Sequence, residues 1–399
     1  MSHLNFRHTV KTIYLANITG AIINNFSPLL FLTFQRQFGI SIGKISFLIT
    51  LNFGIQMLVD FLGAKFGDRL GYRRGAVCSQ LIAAAGMIGL GILPFLLPAY
   101  PALLFCTVLC AIGSGLNEVL LSPMLEALPG DAKASAMGIM HSFYCWGHVA
   151  VILISTVYFQ LAGTANWRWL AIGWAIIPLC AAALFFRVPI NSLGEPETNL
   201  PMRRLFSLPM FWVLLALMLA SGAAEQAMAQ WASLFAELGL GVSKAMGDLL
   251  GPCLFAIAMG TTRLLYGKFG ERFRLPRLLG FSAALCTVSF LIVSLVPDAI
   301  VSLLGCGLCG VSVAILWPGV LSLSARDCPQ GGTAMFALLA LAGDVGCFVG
   351  PDLVGVASDA LGGGSSGVKL GMLAALVFPA MLFAALFLLR RMRRKAALS

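Results

Sequence analysis

The chain has 399 residues, of which 59% are hydrophobic and 11% charged, with a formal net charge of +10. A soluble domain carries about a quarter charged residues, and so apolar a chain cannot cover itself in water, so a soluble globular protein is excluded. The positive balance then marks basic loops at a membrane face rather than a nucleic-acid partner.

Apolar windows of bilayer-spanning length recur from end to end, which predicts an all-α membrane protein, because hydrocarbon cannot satisfy the backbone groups of any open alternative. The N-terminus carries no cleavable-signal pattern: polar Met1–His8 runs straight into the first span. Spans are predicted at 10–34, 43–66, 74–97, 99–128, 133–163 and 166–187. After a polar stretch, 188–206, they resume at 207–237, 243–270, 275–296, 298–325, 330–361 and 367–390. This makes twelve transmembrane helices in two six-helix, pseudo-symmetric bundles, 1–187 and 207–399, joined by a cytoplasmic linker at 188–206. With both termini placed inside, the outer segments hold only Arg36, Lys44, Arg168, Lys244 and Lys369. Nearly all other lysines and arginines fall on the inner side, including the tail Arg390, Arg391, Arg393, Arg394 and Lys395. That asymmetry supports an even number of spans with cytoplasmic termini.

The two halves repeat. Lys65-Phe-Gly-Asp-Arg69 returns as Lys268-Phe-Gly-Glu-Arg272, closing the second span of each half. Gly113-Ser-Gly-Leu116 echoes Gly305-Cys-Gly-Leu308 in the fourth span of each half.

In chain order, the intramembrane polar residues begin on span one with Asn17, Asn24 and Asn25. Asn17 and Asn24, seven apart, share a helix face and suggest a polar stripe toward a cavity; helix–helix hydrogen bonding is the competing reading. Glu118 on span four lies about ten residues, or roughly 15 Å, from the cytoplasmic end. Ionisable groups at such depth are rare and usually face the bundle interior. A carboxyl there could take up and release a proton within a transport cycle; a permanently protonated structural acid is the alternative. His141 and His148 on span five are seven apart, and His141 could share a proton with Glu118. On span seven, Glu225, Gln226, Gln230 and Trp231 offer donors, acceptors and an aromatic face of the kind a sugar site uses, while Trp231 reads equally well as an interfacial anchor. Glu225 and Trp231 are six apart, so both could line one pocket only on a broken helix. Asp344 lies near the middle of span eleven, and Asp60 and Arg263 occupy equivalent repeat positions for which separate pairings are expected.

"GAKFGDRLGYRR", Gly63–Arg74, resembles the signature loop between spans two and three of the major facilitator superfamily, with Asp68, Arg69, Gly71, Arg73 and Arg74 matching. The resemblance implies rocker-switch alternating access and a monomer, with Asp68, Arg69, Arg73 and Arg74, and Glu271 and Arg272 in the second half, as a gating loop. The arginines could equally serve to fix topology. A narrower resemblance, in "LNEVLLSPMLEAL" (Leu116–Leu128), "HSFYCWG" (His141–Gly147) and Glu225 with Trp231, is to the fucose/glucose/galactose–proton symporter branch. Where that branch carries an acid in span one, this chain has asparagines. The resemblances imply a proton-coupled carrier of a small hydrophilic solute, possibly a sugar, in a bacterial inner membrane. A proton-driven exporter or an uncoupled facilitator are the alternatives; span five lacks the Gly-Pro element of the antiporter branch. No C-x-x-C pairs with a second at metal spacing, and there is no nucleotide-binding glycine loop, so no metal, cofactor or enzyme activity is expected.

Overall fold

A computed structural model describes residues 5–126, 133–190, 202–269, 273–328 and 332–396, and these are helical with no strand among them. Twelve helical segments are long and apolar enough to cross a membrane. Contacts divide the chain into two units, Met1–Pro196 and Glu197–Ser399.

In the first unit, Asn5 caps α1 (Phe6–Phe26), its side-chain oxygen accepting from the Arg7 N–H at 3.1 Å. A 3-10 turn at Ser27–Leu30, entered through Pro28, leads into α2 (Phe31–Phe38) and completes the first span. Gly39 ends it with φ 64°, a left-handed conformation that costs glycine little. Ser41 caps α3 (Ile42–Leu70), and Gly71, with φ 75°, turns the chain into α4 (Tyr72–Leu96). Then follow α5 (Ala99–Glu126) and α6 (Lys133–Ala162), with α7 (Trp167–Trp174) and α8 (Ile176–Phe185) sharing the sixth span.

The second unit begins with a short α9 (Met202–Phe206) and continues with α10 (Pro209–Leu234), which ends in a π-helical turn, Phe235–Gly239. Its second span is α11 (Lys244–Asp248), a π turn at Leu249–Cys253 containing Pro252, and α12 (Leu254–Phe269). The rest are α13 (Leu275–Leu295), α14 (Ala299–Val313) with α15 (Leu316–Asp327), α16 (Gly332–Ala360), and α17 (Gly364–Ala374) with α18 (Val377–Ala396).

Lipid gives apolar side chains little reason to cluster, so close backbone approach at small residues must hold such helices together. The repeated glycine pairs do this in the same way in both units. A Cβ on Gly113 would stand 2.7 Å from the Ala83 nitrogen on α4, and one on Gly115 would meet Val59 of α3 at 3.0 Å. In the second unit a Cβ on Gly305 would meet Ile292 of α13 at 2.9 Å, and one on Gly307 would meet Leu254 of α12 at 2.7 Å. In each half, then, the first glycine of the pair admits the third span and the second glycine admits the second span. Helices α10 and α16 are also closely packed: Gly346 and Gly350 of α16 lie against the carbonyls of Leu219 and Ala223.

Gly113→Val should therefore force α4 from α5 and cost about 1–3 kcal/mol, lowering the detergent melting midpoint by on the order of 5 °C. Gly173→Ala, where an added Cβ meets nothing within 4 Å, should leave that midpoint unchanged. Differential scanning fluorimetry of the purified full chain reads both.

Candidate functional site

Glu118 sits on α5, which packs mainly against α3 and α4 and also touches α1 and α6. Its neighbours Asn117, Leu120 and Leu121 are buried, whereas Glu118 is exposed. On the same helix Phe105 is 55% exposed and marks an outward-facing stripe. Thirteen residues at about 100° each put Glu118 about 140° around the axis from Phe105. The carboxyl thus opens on the side of the helix turned away from that stripe.

Beside it runs a buried polar chain that the sequence reading passed over. Thr19 donates to the Gln80 side-chain oxygen at 2.8 Å, Gln80 donates to Asn117 Oδ1 at 2.7 Å, and Asn117 donates to the Ala16 carbonyl at 2.9 Å. Three helices, α1, α4 and α5, are joined by these bonds. A second cluster joins α1 to α3: Asn52 and Gln56 each donate to Asn24 Oδ1 at 3.0 Å. The amides Asn52, Gln56, Gln80 and Asn117, set among apolar residues, were the available signal. They could not be paired without knowing which helices touch.

These contacts change the reading of span one. Asn24 is buried within the amide cluster, so it ties helices together rather than facing an open cavity. Asn17 reaches the Met140 carbonyl of α6 at 2.6 Å and Asn25 its own helix at Ala21, at 2.8 Å. Backbone Met140 precedes His141, whose side chain lies outside the described residues; His148 is buried on the same helix. In the signature loop, Arg73 donates to the carbonyls of Phe185 and Phe186 at 2.7 and 3.0 Å, capping the C-terminus of α8 where a cation is favoured. Arg74 is exposed. The side chains of Asp68 and Arg69, and residues Glu271 and Arg272, lie outside the described residues.

In the second unit, Glu225 is only 8% exposed and meets Arg263 of α12 at 3.0 Å. Arg263 also donates to the Ala314 carbonyl at 3.3 Å, joining α10, α12 and the end of α14. Arg263 thus finds a carboxylate on the seventh span within its own half. Gln230 donates to the Gln226 side chain at 3.1 Å, and both are buried. Trp231 corrects its sequence reading: it is 0% exposed, and its indole N–H donates to the Pro351 carbonyl of α16 at 2.9 Å. It is neither an interfacial anchor nor an open aromatic face; it pins α10 to α16. The helix carrying Glu225 and Trp231 is unbroken between them. Asp344 is half-buried on α16, with a polar or ring contact.

Between the two π turns lies an ion cluster that the sequence reading missed. Lys244 Nζ is 3.1 Å from Glu237 and 3.0 Å from Asp248, and Ser233 donates to Asp248 at 2.5 Å. Asp248 is 0% exposed. Lys244 and Asp248 are four apart, a spacing legible in sequence; the arrival of Glu237 and Ser233 was not. Among the described residues no group of histidine, cysteine and acidic side chains could hold a metal ion.

Twelve candidate spans, six in each of two units, define a polytopic helical membrane protein. The chain belongs to the Major Facilitator Superfamily, whose family model matches residues 13–351. No curated protein sequence matches it. Among solved structures, a bacterial homologue of the human lysosomal transporter Spinster, inward-facing, is 15% identical with a TM-score of 0.76, covering 96% of each chain. The E. coli fucose:proton symporter FucP is 16% identical with a TM-score of 0.64, covering 96% of this chain and 98% of its own. The nucleoside transporter NupG is 11% identical with a TM-score of 0.76, covering 96% and 99%. At these identities the likeness is one of fold.

Removing one partner of a buried pair strands the other charge. Arg263→Met should cost about 3 kcal/mol and lower the melting midpoint, and Arg263→Met combined with Glu225→Gln should recover most of the loss. If the double variant melts no higher than the single, the ion pair is not what holds these helices.

Proposed function

We propose that this transporter carries a small hydrophilic solute, with sugars as the leading class, by alternating access coupled to protons. The observation that carries this reading is Glu118: a carboxyl on a membrane-spanning helix, exposed, and turned away from the outward stripe of that helix. A carboxylate facing acyl chains would cost several kcal/mol, so exposure on the other side argues for contact with water. Glu118 is the proton site in this reading, with His141 one helix away as its relay. Glu225, held by Arg263, is a second acid whose pairing could exchange during the cycle. Gln226 and Gln230, on the helix of Glu225, are read as donors and acceptors for the solute, as are Asn17 and Asp344; Trp231 and Asn24 act as packing residues.

The fucose:proton symporter and the nucleoside transporter among the fold neighbours favour a hydroxyl-rich cargo. The protein is read as a monomer of a bacterial inner membrane with both termini cytoplasmic, its two bundles linked at 188–206, and with no catalytic role. The remaining alternatives are proton-driven export and uncoupled facilitation.

The test uses the full chain in sealed vesicles holding a pH-sensitive dye, challenged with a panel of monosaccharides and nucleosides. A transported solute should carry protons inward, and an imposed acid-outside gradient should accelerate its uptake. In Glu118→Gln the gradient should have no effect, while exchange without a gradient persists. Gradient-driven uptake undiminished in that variant would remove Glu118 from coupling; acceleration by the opposite gradient would identify an exporter.

A further inference from the structure

The end of the second unit that carries the chain's C-terminal helix holds a cleft of about 550 Å3. Six arginines line it: Arg274 and Arg277 at the start of α13, Arg326 near the end of α15, and Arg390, Arg393 and Arg394 on α18. Asp327 engages one of them, accepting from Arg393 at 2.6 Å through Nη2 and 3.1 Å through Nε. Among the described residues no carboxylate pairs with the other five. Five guanidinium groups around one concavity, with no carboxylate partner among the described residues, repel one another, and planar guanidinium groups match phosphate oxygens in geometry and charge.

What continues from the cleft selects among phosphate-bearing ligands. On α13, Arg277 is followed at helical spacing by exposed Phe281, Ala284 and Val288. On α18, Arg394 and Arg390 are followed by exposed Phe387 and Phe383. Helices α13 and α18 pack together, so two apolar stripes run along the span from one arginine cluster. A soluble phosphate would use the cleft and leave the stripes idle. A phospholipid would use both.

We propose that this cleft is a binding site for an anionic phospholipid, its phosphate held by Arg277, Arg390 and Arg394 and its acyl chains lying along the stripes of Phe281 and Phe387. The site belongs to one bundle and is separate from Glu118. With the termini cytoplasmic, as the proposed function has them, it would anchor α13 to α18 at the face where anionic headgroups concentrate.

Native mass spectrometry of the full chain in detergent, offered phosphatidylglycerol and phosphatidylcholine of equal chain length, tests the assignment. Phosphatidylglycerol should be retained roughly tenfold or more over phosphatidylcholine. The triple variant Arg277→Gln, Arg390→Gln, Arg394→Gln keeps the Asp327–Arg393 pair and should lose that preference. The double variant Arg203→Gln, Arg204→Gln, which changes exposed arginines away from the cleft, should keep it. Millimolar glycerol phosphate, which has the headgroup but no chains, should not displace the lipid. Equal retention of both lipids, an unchanged preference in the triple variant, or an equal loss in the control overturns the site; displacement by glycerol phosphate assigns the cleft to a soluble anion and overturns the lipid.

Discussion

Hydrocarbon offers no hydrogen-bond partner, and every polar atom within it must be answered by protein or by a water-filled space. The consequences run through both units. Thr19, Gln80 and Asn117 answer one another across three helices, and Asn24, Asn52 and Gln56 do so across two. Glu225 takes the guanidinium of Arg263, and Lys244 lies between two acids. Against that background the exposed carboxyl of Glu118 stands out, and its place on the helix is what gives it a functional reading.

Packing obeys a related constraint. With no hydrophobic force to drive helix association in lipid, close contact has to come from small residues and from side chains that bond across the gap. The glycine pairs at Gly113 and Gly115, and at Gly305 and Gly307, solve the same problem twice, each pair admitting the third and second spans of its own half. Trp231 shows the complementary device, a large side chain fully enclosed with its N–H committed to the carbonyl of Pro351. The ion cluster around Lys244 and Asp248 lies between two π-helical turns, a geometry that recurs where helices are locally reshaped around polar groups.

The polar residues therefore separate by what they touch. Asn24, Gln80, Asn117 and Trp231 hold helices at fixed positions, and Arg73 caps α8. Glu118 is exposed on its helix, and the Glu225–Arg263 pair and half-buried Asp344 are further charged groups within the spans. A carrier needs both kinds: a rigid scaffold within each bundle, and a few groups whose partners can be exchanged without unfolding it.

Composition and hydropathy were enough for the all-α membrane class and the twelve spans, because the cost of unsatisfied backbone in lipid leaves no other solution. The repeated glycine pair was enough to point to two related halves, since the same helix crossings need the same small residues. Glu118 could be singled out as well, because a carboxylate within an apolar run is conspicuous in one dimension. Which polar residues meet was not legible. Asn117 stands next to Glu118 in sequence yet faces the opposite kind of environment, because about 100° of helix rotation turns it into the α1–α4 interface. Arg263 finds Glu225 from 38 residues away, and Trp231 is enclosed by a helix whose sequence lies more than a hundred residues further on. Side-chain direction and helix neighbours are properties of the packed bundle, and only the tertiary structure could decide them.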